Sequence, residues 1–325
     1  MNILVTGGAG YIGSATAEAL LKAGHSVAVY DSLVTGHRLA VPEGATFIQA
    51  DLSDSHALAE ALTRSKFDAV MHFAAFIEAG ESMRDPGRFY QNNFTNSLAL
   101  METAVRAGVK RFVLSSTAAV FASGDEPLTE ESPLGPTNVY GHTKLMVEQA
   151  LEWYREIHGL HFAALRYFNA CGALPGRGEA HQPESHLVPL VLQVPLGTRD
   201  SVGIYGTDYP TPDGTCIRDY IHIADLVSAH LLALDGLKER DRLVYNLGSG
   251  TGYSVREVIE TARQVTGHRI PAKELPRRPG DSARLVASSD KIKRELGWKP
   301  QHDDLYEIIS SAWAWHKWHP KGYQE

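Results

Sequence analysis

Residues Asn2–Gly13 read Asn-Ile-Leu-Val-Thr-Gly-Gly-Ala-Gly-Tyr-Ile-Gly, and this stretch decides the fold. The apolar run Ile3–Val5 shows no polar alternation, which predicts a strand buried on both faces. Glycines follow it, and a helical pattern of apolar residues continues over Ala15–Ala23. Gly8–Gly13 fits the fingerprint in which missing side chains let backbone N–H groups at a helix N-terminus approach a pyrophosphate. The stretch therefore predicts a strand, a glycine turn and a helix that bind a dinucleotide.

A second strand, Ser26–Tyr30, ends in Asp31, about 20 residues past the glycines. An acid at this point accepts hydrogen bonds from both hydroxyls of an adenosine ribose, and it would repel a 2′-phosphate. The cofactor predicted is therefore NAD rather than NADP. Asp51, just past a third strand at about residues 45–49, can reach the adenine amino group. The alternative for Asp51 is a plain loop acid near a helix cap.

The bulk composition limits the class of protein. The 325 residues, 43% hydrophobic, allow a large core in one large or two interlocked domains. A net charge of −7 argues against binding to nucleic acid or to an anionic membrane surface. The two cysteines, Cys171 and Cys216, have neither metal-ligand nor disulfide spacing, which fits a cytoplasmic protein without a metal. No apolar run approaches the roughly 20 residues of a membrane helix.

Strands and helices alternate up to a sixth strand at residues 161–166, and the loop 172–186 is then rich in glycine, proline and histidine. This pattern predicts an α/β fold with a Rossmann-type doubly wound parallel sheet and a smaller C-terminal domain. We expect an NAD-binding domain over residues 1–170 and a substrate-binding domain over 171–325, with an approximate boundary that chain segments can cross. The fourth strand holds His72, which is interpreted as a core histidine rather than a catalyst.

The catalytic prediction rests on hydroxyl groups at the end of the fifth strand and on a helix that follows. The predicted strand Arg111–Ser115 has hydroxyl groups at its carboxyl end, on Ser115, Ser116 and Thr117. On the helix that follows, the i, i+4 spacing places Tyr140 and Lys144 on one face. A tyrosine needs its pKa lowered by about 3 units to act near neutral pH. Lys144 and an oxidised nicotinamide supply that field, and Thr117 bridges to a substrate hydroxyl. The chemistry predicted is oxidation of an alcohol; in the alternative, Tyr140 and Lys144 only cap a helix.

These motifs resemble the extended short-chain dehydrogenase/reductase superfamily and, within it, the UDP-glucose 4-epimerase family. The resemblance covers essentially the whole chain, in the order Thr6–Gly13, His72–Ala75, Gly80–Ser82, Asn92-Asn93, Ser115–Thr117, Tyr140-x-x-x-Lys144, Arg166–Asn169, Arg218–His222 and Arg278-x-Gly-Asp281. It implies an NAD-dependent interconversion of UDP-glucose and UDP-galactose through a 4-keto sugar, catalysed by Thr117, Tyr140 and Lys144. It also implies a homodimer through helices near 92–107 and 143–158.

The predicted binding residues fall into two sets, which combine the residue pattern with the resemblance. The cofactor set is Gly7, Gly10, Tyr11, Ile12, Gly13, Asp31, Ser32, Asp51, Leu52, Phe73, Ala74, Ala75, Asn92, Ser115, Tyr140, Lys144 and Phe168. The substrate set is Thr117, Asn169, Leu187, Tyr205, Arg218, Arg278, Asp281 and Leu285. The two arginines suit a diphosphate because guanidinium groups bind its oxygens in pairs.

Some positions depart from the family pattern. Thr117 stands at a position that is often serine in the family. Ile77 stands where many members carry a lysine beside the cofactor, and His186 stands where an asparagine is often found on the uracil side. In related dehydratases and decarboxylases an acid follows the catalytic hydroxyl, whereas alanines follow Thr117 here. Leu285 takes the place of the residue that faces the 2-substituent of the sugar, and its bulk favours UDP-glucose and UDP-galactose over N-acetylated forms. The alternatives are a 4-epimerase of UDP-uronic acid or UDP-N-acetylhexosamine, a nucleotide-sugar reductase, or a non-catalytic nucleotide sensor.

Overall fold

The structure is a computed structural model that describes residues 1–122, 124, 126–278 and 281–324. The strands are β1 Asn2–Thr6, β2 Ser26–Asp31, β3 Thr46–Gln49, β4 Ala69–His72, β5 Arg111–Thr117, β6 His161–Tyr167, β7 Asn169–Cys171, β8 Val202–Tyr205, β9 Ile217–Arg218, β10 Tyr220–His222, β11 Arg242–Leu247, β12 Tyr253–Ser254, β13 Ala272–Leu275 and β14 Arg284–Leu285. The α-helices are α1 Tyr11–Lys22, α2 Ser55–Arg64, α3 Ala79–Ser82, α4 Pro86–Phe89, α5 Asn96–Arg106, α6 Val139–His158, α7 Leu187–Leu192, α8 Ile223–Gly236, α9 Val255–Thr266, α10 Asp290–Leu296 and α11 Leu305–Trp318.

Contacts within the chain divide it into two compact units. The first unit comprises Met1–Ala122, Pro133–Arg166 and Val227–Tyr245, and the second comprises Ser123–Ser132, Tyr167–Leu226 and Asn246–Glu325. The chain leaves the first unit after Arg166, near the predicted boundary, and returns to it for residues 227–245 because β11 pairs beside β6.

The first unit is built on a seven-stranded sheet with the order β11-β6-β5-β4-β1-β2-β3. The pairs β1–β2, β2–β3, β1–β4 and β4–β5 are all parallel. The chain moves outward from β1 to β3 and then returns to the other side of β1, so the strand order reverses between β1 and β4. In such sheets the ligand crevice lies outside the carboxyl ends of the strands at this reversal. The predicted Rossmann-type sheet is confirmed.

Helix α1 begins at Tyr11, directly after the glycine turn, and α6 spans 20 residues from Val139 to His158. The helix expected near residues 92–107 is regular only from Asn96, because Tyr90–Thr95 forms a π-helical turn between α4 and α5. Asn93 explains the interruption: its side chain is bonded to both Phe76 N and Phe76 O, at 2.8 and 2.9 Å, and its carbonyl accepts from Ser97 Oγ at 2.7 Å. The extra residue in the turn therefore serves tertiary contacts.

The second unit contains three small sheets with the orders β10-β7, β12-β9-β14 and β13-β8. Helices α7, α9 and α11 bury their apolar faces against one another and against these strands, with Val191, Val258 and Ile308 fully buried. Ser254 and Glu257 form a capping box at the start of α9. Among the described residues, no helix is long and apolar enough to cross a membrane.

Candidate functional site

The glycine turn after β1 is held by close backbone contacts. Gly7 has a φ of +72°, and a Cβ atom there would lie 2.5 Å from Ala74 N, so only glycine fits. A Cβ atom on Gly13 would lie 2.2 Å from Gly7 O, which brings the first turn of α1 against the loop. A Cβ atom on Gly10 would meet only Gly7 O, at 3.2 Å. The turn has the form that a dinucleotide pyrophosphate requires.

The Asp31 carboxylate is fixed beside this turn. It accepts hydrogen bonds from Ala9 N at 2.9 Å and from Leu33 N at 2.8 Å. Burial raises the pKa of Asp31, while these two backbone bonds oppose the rise by stabilising the charged form. Each carboxylate oxygen has a second lone pair for a ribose hydroxyl. The acid is therefore oriented before any ligand arrives.

A cavity in the first unit brings together eight of the predicted cofactor residues. They are Gly7, Asp31, Ser32, Asp51, Leu52, Ala74, Ala75 and Asn92. Sequence reasoning missed the other lining residues, Tyr30, Val34, Thr35, Ala50 and Phe76, which are direct or near neighbours of predicted ones. Tyr30 also donates from its hydroxyl to Asp51 O at 3.0 Å, which ties β2 to the loop after β3.

The remaining predicted cofactor residues lie outside this cavity. Gly10, Tyr11, Ile12 and Gly13 form the start of α1, and the Phe73 ring packs on His230 with ring centroids 5.0 Å apart. Ser115, Tyr140 and Lys144 lie at the fifth strand and on α6, while Phe168 belongs to the second unit.

Tyr140 is set in place by three neighbouring segments of the first unit. Its backbone N donates to Ser82 Oγ at 3.1 Å, and Asn138 Oδ1 caps α6 by accepting from Gly141 N at 2.8 Å. A Cβ atom on Gly141 would lie 2.2 Å from Ala119 O, so α6 approaches the end of β5 closely. This approach allows the Tyr140 and Thr117 side chains to form a hydrogen bond. The predicted pair therefore meets.

Burial governs the charge state of these residues in the protein chain. It raises the pKa of Tyr140 to about 12, with the Thr117 hydrogen bond opposing and the nearby Glu78 charge adding to the rise. Lys144 is buried and donates to Ser115 O at 2.8 Å, and burial lowers its pKa to about 8 against the opposing charge of Glu148. The expected lowering of the Tyr140 pKa is therefore not supplied by the chain alone. The other source predicted for this lowering is the positive charge of an oxidised nicotinamide.

A buried network beneath Lys144 was missed by sequence reasoning. Glu148, one helical turn further along α6, forms an ion pair with Arg166 at 2.6 Å and accepts a hydrogen bond from Ser116 Oγ. Arg166 also lies over the Phe121 ring, 5.1 Å from its centroid. The signal available in the sequence was the i, i+4 pair Lys144 and Glu148 on an otherwise apolar helix face. The network positions α6 relative to β5 and β6.

His72 does not face a ligand site. Its Nδ1 is bonded to Thr6 Oγ1 at 2.7 Å and its Nε2 to Ser97 Oγ at 2.7 Å. Burial lowers its pKa to about 3, so the imidazole is neutral. The interpretation of His72 as a core histidine is confirmed.

A cavity in the second unit gathers most of the predicted substrate residues: Asn169, Leu187, Tyr205, Arg218, Arg278 and Asp281. Arg278 lies over the Tyr205 ring, 3.8 Å from its centroid, and Arg218 Nη2 lies 3.4 Å from Asp281 Oδ1. Two guanidinium groups beside an aromatic ring suit a nucleotide diphosphate. Gly280 of the predicted Arg-x-Gly-Asp motif lies outside the described residues.

Two predicted substrate residues are not among the described residues that line this cavity. Leu285 pairs with Arg218 in the register of β14 and β9, so it lies one strand away from the arginine. Thr117 belongs to the first unit.

Comparison with known proteins identifies similar chains. A sequence model of the NAD-dependent epimerase/dehydratase family matches residues 3–248. A UDP-glucose 4-epimerase of Lacticaseibacillus casei is 48% identical over 327 residues, which is 99% of this chain and 99% of the relative. The crystal structure of a UDP-glucose 4-epimerase superposes with a TM-score of 0.97 at 48% identity and covers 100% of both chains. The Bifidobacterium longum UDP-glucose 4-epimerase, solved in complex with NAD⁺ and UDP, superposes with a TM-score of 0.95 at 36% identity, covering 99% of this chain and 100% of that one.

Proposed function

This chain belongs to the NAD-dependent epimerase/dehydratase family, and we infer that it is an NAD-dependent UDP-glucose 4-epimerase acting through a transient 4-keto sugar. The observation that carries the inference is the hydrogen-bonded pair Tyr140 and Thr117 on the same unit as the glycine turn and Asp31. Relatives of the same family that share 48% identity over nearly the whole chain carry this name.

The residues that line the cavity of the first unit are suited to bind NAD. Gly7 and Ala74 form a part of the cavity wall that carries no bulky side chain, and Asp31 is oriented for the ribose. When bound, NAD supplies the oxidant for the sugar alcohol and returns the same hydride to the ketone.

The chain's own residues handle the proton. In the proposed mechanism the Tyr140 oxygen accepts the proton of the sugar 4-hydroxyl and later returns it, and Thr117 holds both oxygens by hydrogen bonds. Lys144, which is buried, contributes positive charge that favours the phenolate. Because the ketone can be reduced on either face, a sugar that turns before the return step leaves with inverted configuration. Ala118 and Ala119 offer no acid for elimination, which supports epimerisation over dehydration.

We also propose that the second unit holds the UDP moiety. Arg218 and Arg278 offer charge-assisted hydrogen bonds to the diphosphate, and Asn169 and Leu187 border the same cavity. Asn169 already donates to Asp219 O at 2.7 Å, which fixes its amide.

A homodimer in the cytoplasm completes the proposal. Trp153 and Ile157 on α6 are 64% and 68% exposed, a degree that favours burial against a second copy. Light scattering on the purified chain should report twice the monomer mass, and Trp153→Glu should reduce it. The free thiols of Cys171 and Cys216 suit a reducing compartment.

The decisive experiment incubates the purified chain and NAD⁺ with a panel of UDP-sugars. We expect UDP-glucose and UDP-galactose to interconvert in both directions without accumulation of NADH. A reductase would consume the nicotinamide in step with product, and a nucleotide sensor would convert nothing. Either result would contradict the proposed function.

A further inference from the structure

A cluster of two carboxylates and two imidazoles lies in the second unit, on the segment between β7 and α7. Its members are Glu179, His181, Glu184 and His186, and their ligand atoms all lie within 4.8 Å of one another. No other group of three or more such residues gathers in this way in the described part of the chain. The epimerase chemistry proposed above has no step that uses these four side chains as a set.

The distances within the cluster are close to those of ligands around a metal ion. Glu179 Oε1 lies 2.7 Å from His186 Nδ1 and 3.0 Å from His181 Nδ1. Glu184 Oε1 lies 3.1 Å from the same nitrogen of His186. Ligands placed about 2.0–2.1 Å from a tetrahedral zinc ion are about 3.3 Å apart. To reach this spacing, the three contacts need to lengthen by about 0.2–0.6 Å.

The charge of the cluster also favours a dication. The Glu179 and Glu184 side chains are 5% and 7% exposed, and buried carboxylates are stable only beside compensating positive charge. His316 on α11 is a further imidazole that interacts electrostatically with both carboxylates. Without a metal, protons on the histidines provide the compensation. One divalent ion replaces two such protons and at the same time contacts all four side chains.

We propose that Glu179, His181, Glu184 and His186 bind one divalent transition-metal ion, with Zn²⁺ as the best match. Mixed imidazole and carboxylate ligands suit zinc, whereas calcium and magnesium prefer oxygen alone. Four protein ligands fill a tetrahedral shell, as in structural sites. The ion would clamp the segment that ends where α7 begins, and Leu187, the first residue of α7, borders the substrate cavity. The site therefore stiffens one wall of that cavity.

The test measures metal binding directly and needs no substrate. The full chain is treated with a chelator, dialysed and titrated with ZnCl₂ in competition with a chromophoric indicator. We expect one Zn²⁺ per chain, and weaker binding at lower pH because protons compete for the same nitrogens. Co²⁺ in place of Zn²⁺ should give the visible absorption of a four-coordinate site with nitrogen and oxygen ligands. A wild-type chain that binds no Zn²⁺ would overturn the proposal, whatever its epimerase activity.

Two variants and a control locate the site. His181→Ala combined with His186→Ala should weaken Zn²⁺ binding by more than about 100-fold, since loss of outer partners alone costs up to that much. Glu184→Gln keeps the shape of the side chain and should still weaken binding at least about 10-fold. The control is His302→Ala, which removes an imidazole paired to a single carboxylate, Glu307, at 2.6 Å. Binding that survives in Glu184→Gln and in the double variant, or that is lost in the control, would refute the assignment.

Discussion

Replacing Tyr140 with phenylalanine deletes one oxygen atom and leaves the other contacts of the site in place. The backbone bond from Tyr140 N to Ser82 Oγ and the Asn138 cap of α6 do not use the phenol group. The hydroxyl itself is hydrogen-bonded to Thr117. Losing one neutral hydrogen bond costs about 1 kcal/mol of stability, so the variant should fold.

Catalysis should fall far more than stability. A positioned acid–base group contributes about 10²–10⁴-fold, which is about 3–5 kcal/mol of activation free energy. Thr117 cannot take over, because an aliphatic hydroxyl is a weaker acid than a phenol. The pKa of about 12 makes the phenolate cost about 7 kcal/mol at pH 7 in the chain alone.

The assay follows kcat for the interconversion of UDP-glucose and UDP-galactose in both directions, and calorimetry follows binding of NAD⁺ and UDP. We expect kcat to fall while both dissociation constants stay within about threefold of wild type. Tyr90→Phe is the matched control, because its hydroxyl bonds to His142 Nδ1 at 2.9 Å next to the same helix. If Tyr140→Phe kept kcat within about tenfold of wild type, or if Tyr90→Phe fell as far, the assigned role would be refuted.

Three further predictions concern the turn, the buried lysine and the sugar. Gly7→Ala should destabilise the chain by more than about 2 kcal/mol and abolish NAD binding, whereas Gly24→Ala, with a similar positive φ but no neighbour within 4 Å, should cost only about 1–2 kcal/mol in urea unfolding. The pKa of Lys144 is lowered from 10.5 to about 8, so between these values the unfolded chain binds more protons. The unfolding free energy of the NAD-free chain should therefore rise by about 3 kcal/mol from pH 8 to 10.5, relative to Lys144→Met, and a difference that does not change with pH would contradict this. Leu285→Ser should raise kcat/KM for UDP-N-acetylglucosamine relative to UDP-glucose by about 10- to 200-fold, and equal wild-type efficiencies for the two sugars would show that Leu285 is not the gate.

Much of the first unit could be predicted because its strands are long and apolar. The strand Asn2–Thr6, the glycine turn and Asp31 lie close together in sequence, so their spacing alone indicates the cofactor and the sheet. The Tyr140 and Lys144 pair is equally local, since one helix carries both. The family and its activity were also correctly predicted, whereas the individual site residues stay predictions.

The remaining features depend on contacts between distant residues. The π-helical turn at Tyr90–Thr95 exists because Asn93 binds the backbone of Phe76. The local periodicity of the sequence does not predict this contact. Strands of two or three residues, such as β9, carry no alternation that a sequence pattern can detect. The raised pKa of Tyr140 depends on burial, which sequence spacing does not measure.

The return of the chain to the first unit has a consequence for how the protein is made. Strand β6 ends at Tyr167 and its sheet neighbour β11 begins at Arg242, so 74 residues lie between them. At about 5–20 residues per second, a ribosome needs about 4–15 s to synthesise that interval. During this time β6 is an edge strand with unpaired backbone groups, which can pair with another chain. The nascent protein therefore needs protection from aggregation until β11 emerges, and a fragment that stops near residue 170 keeps this edge open permanently.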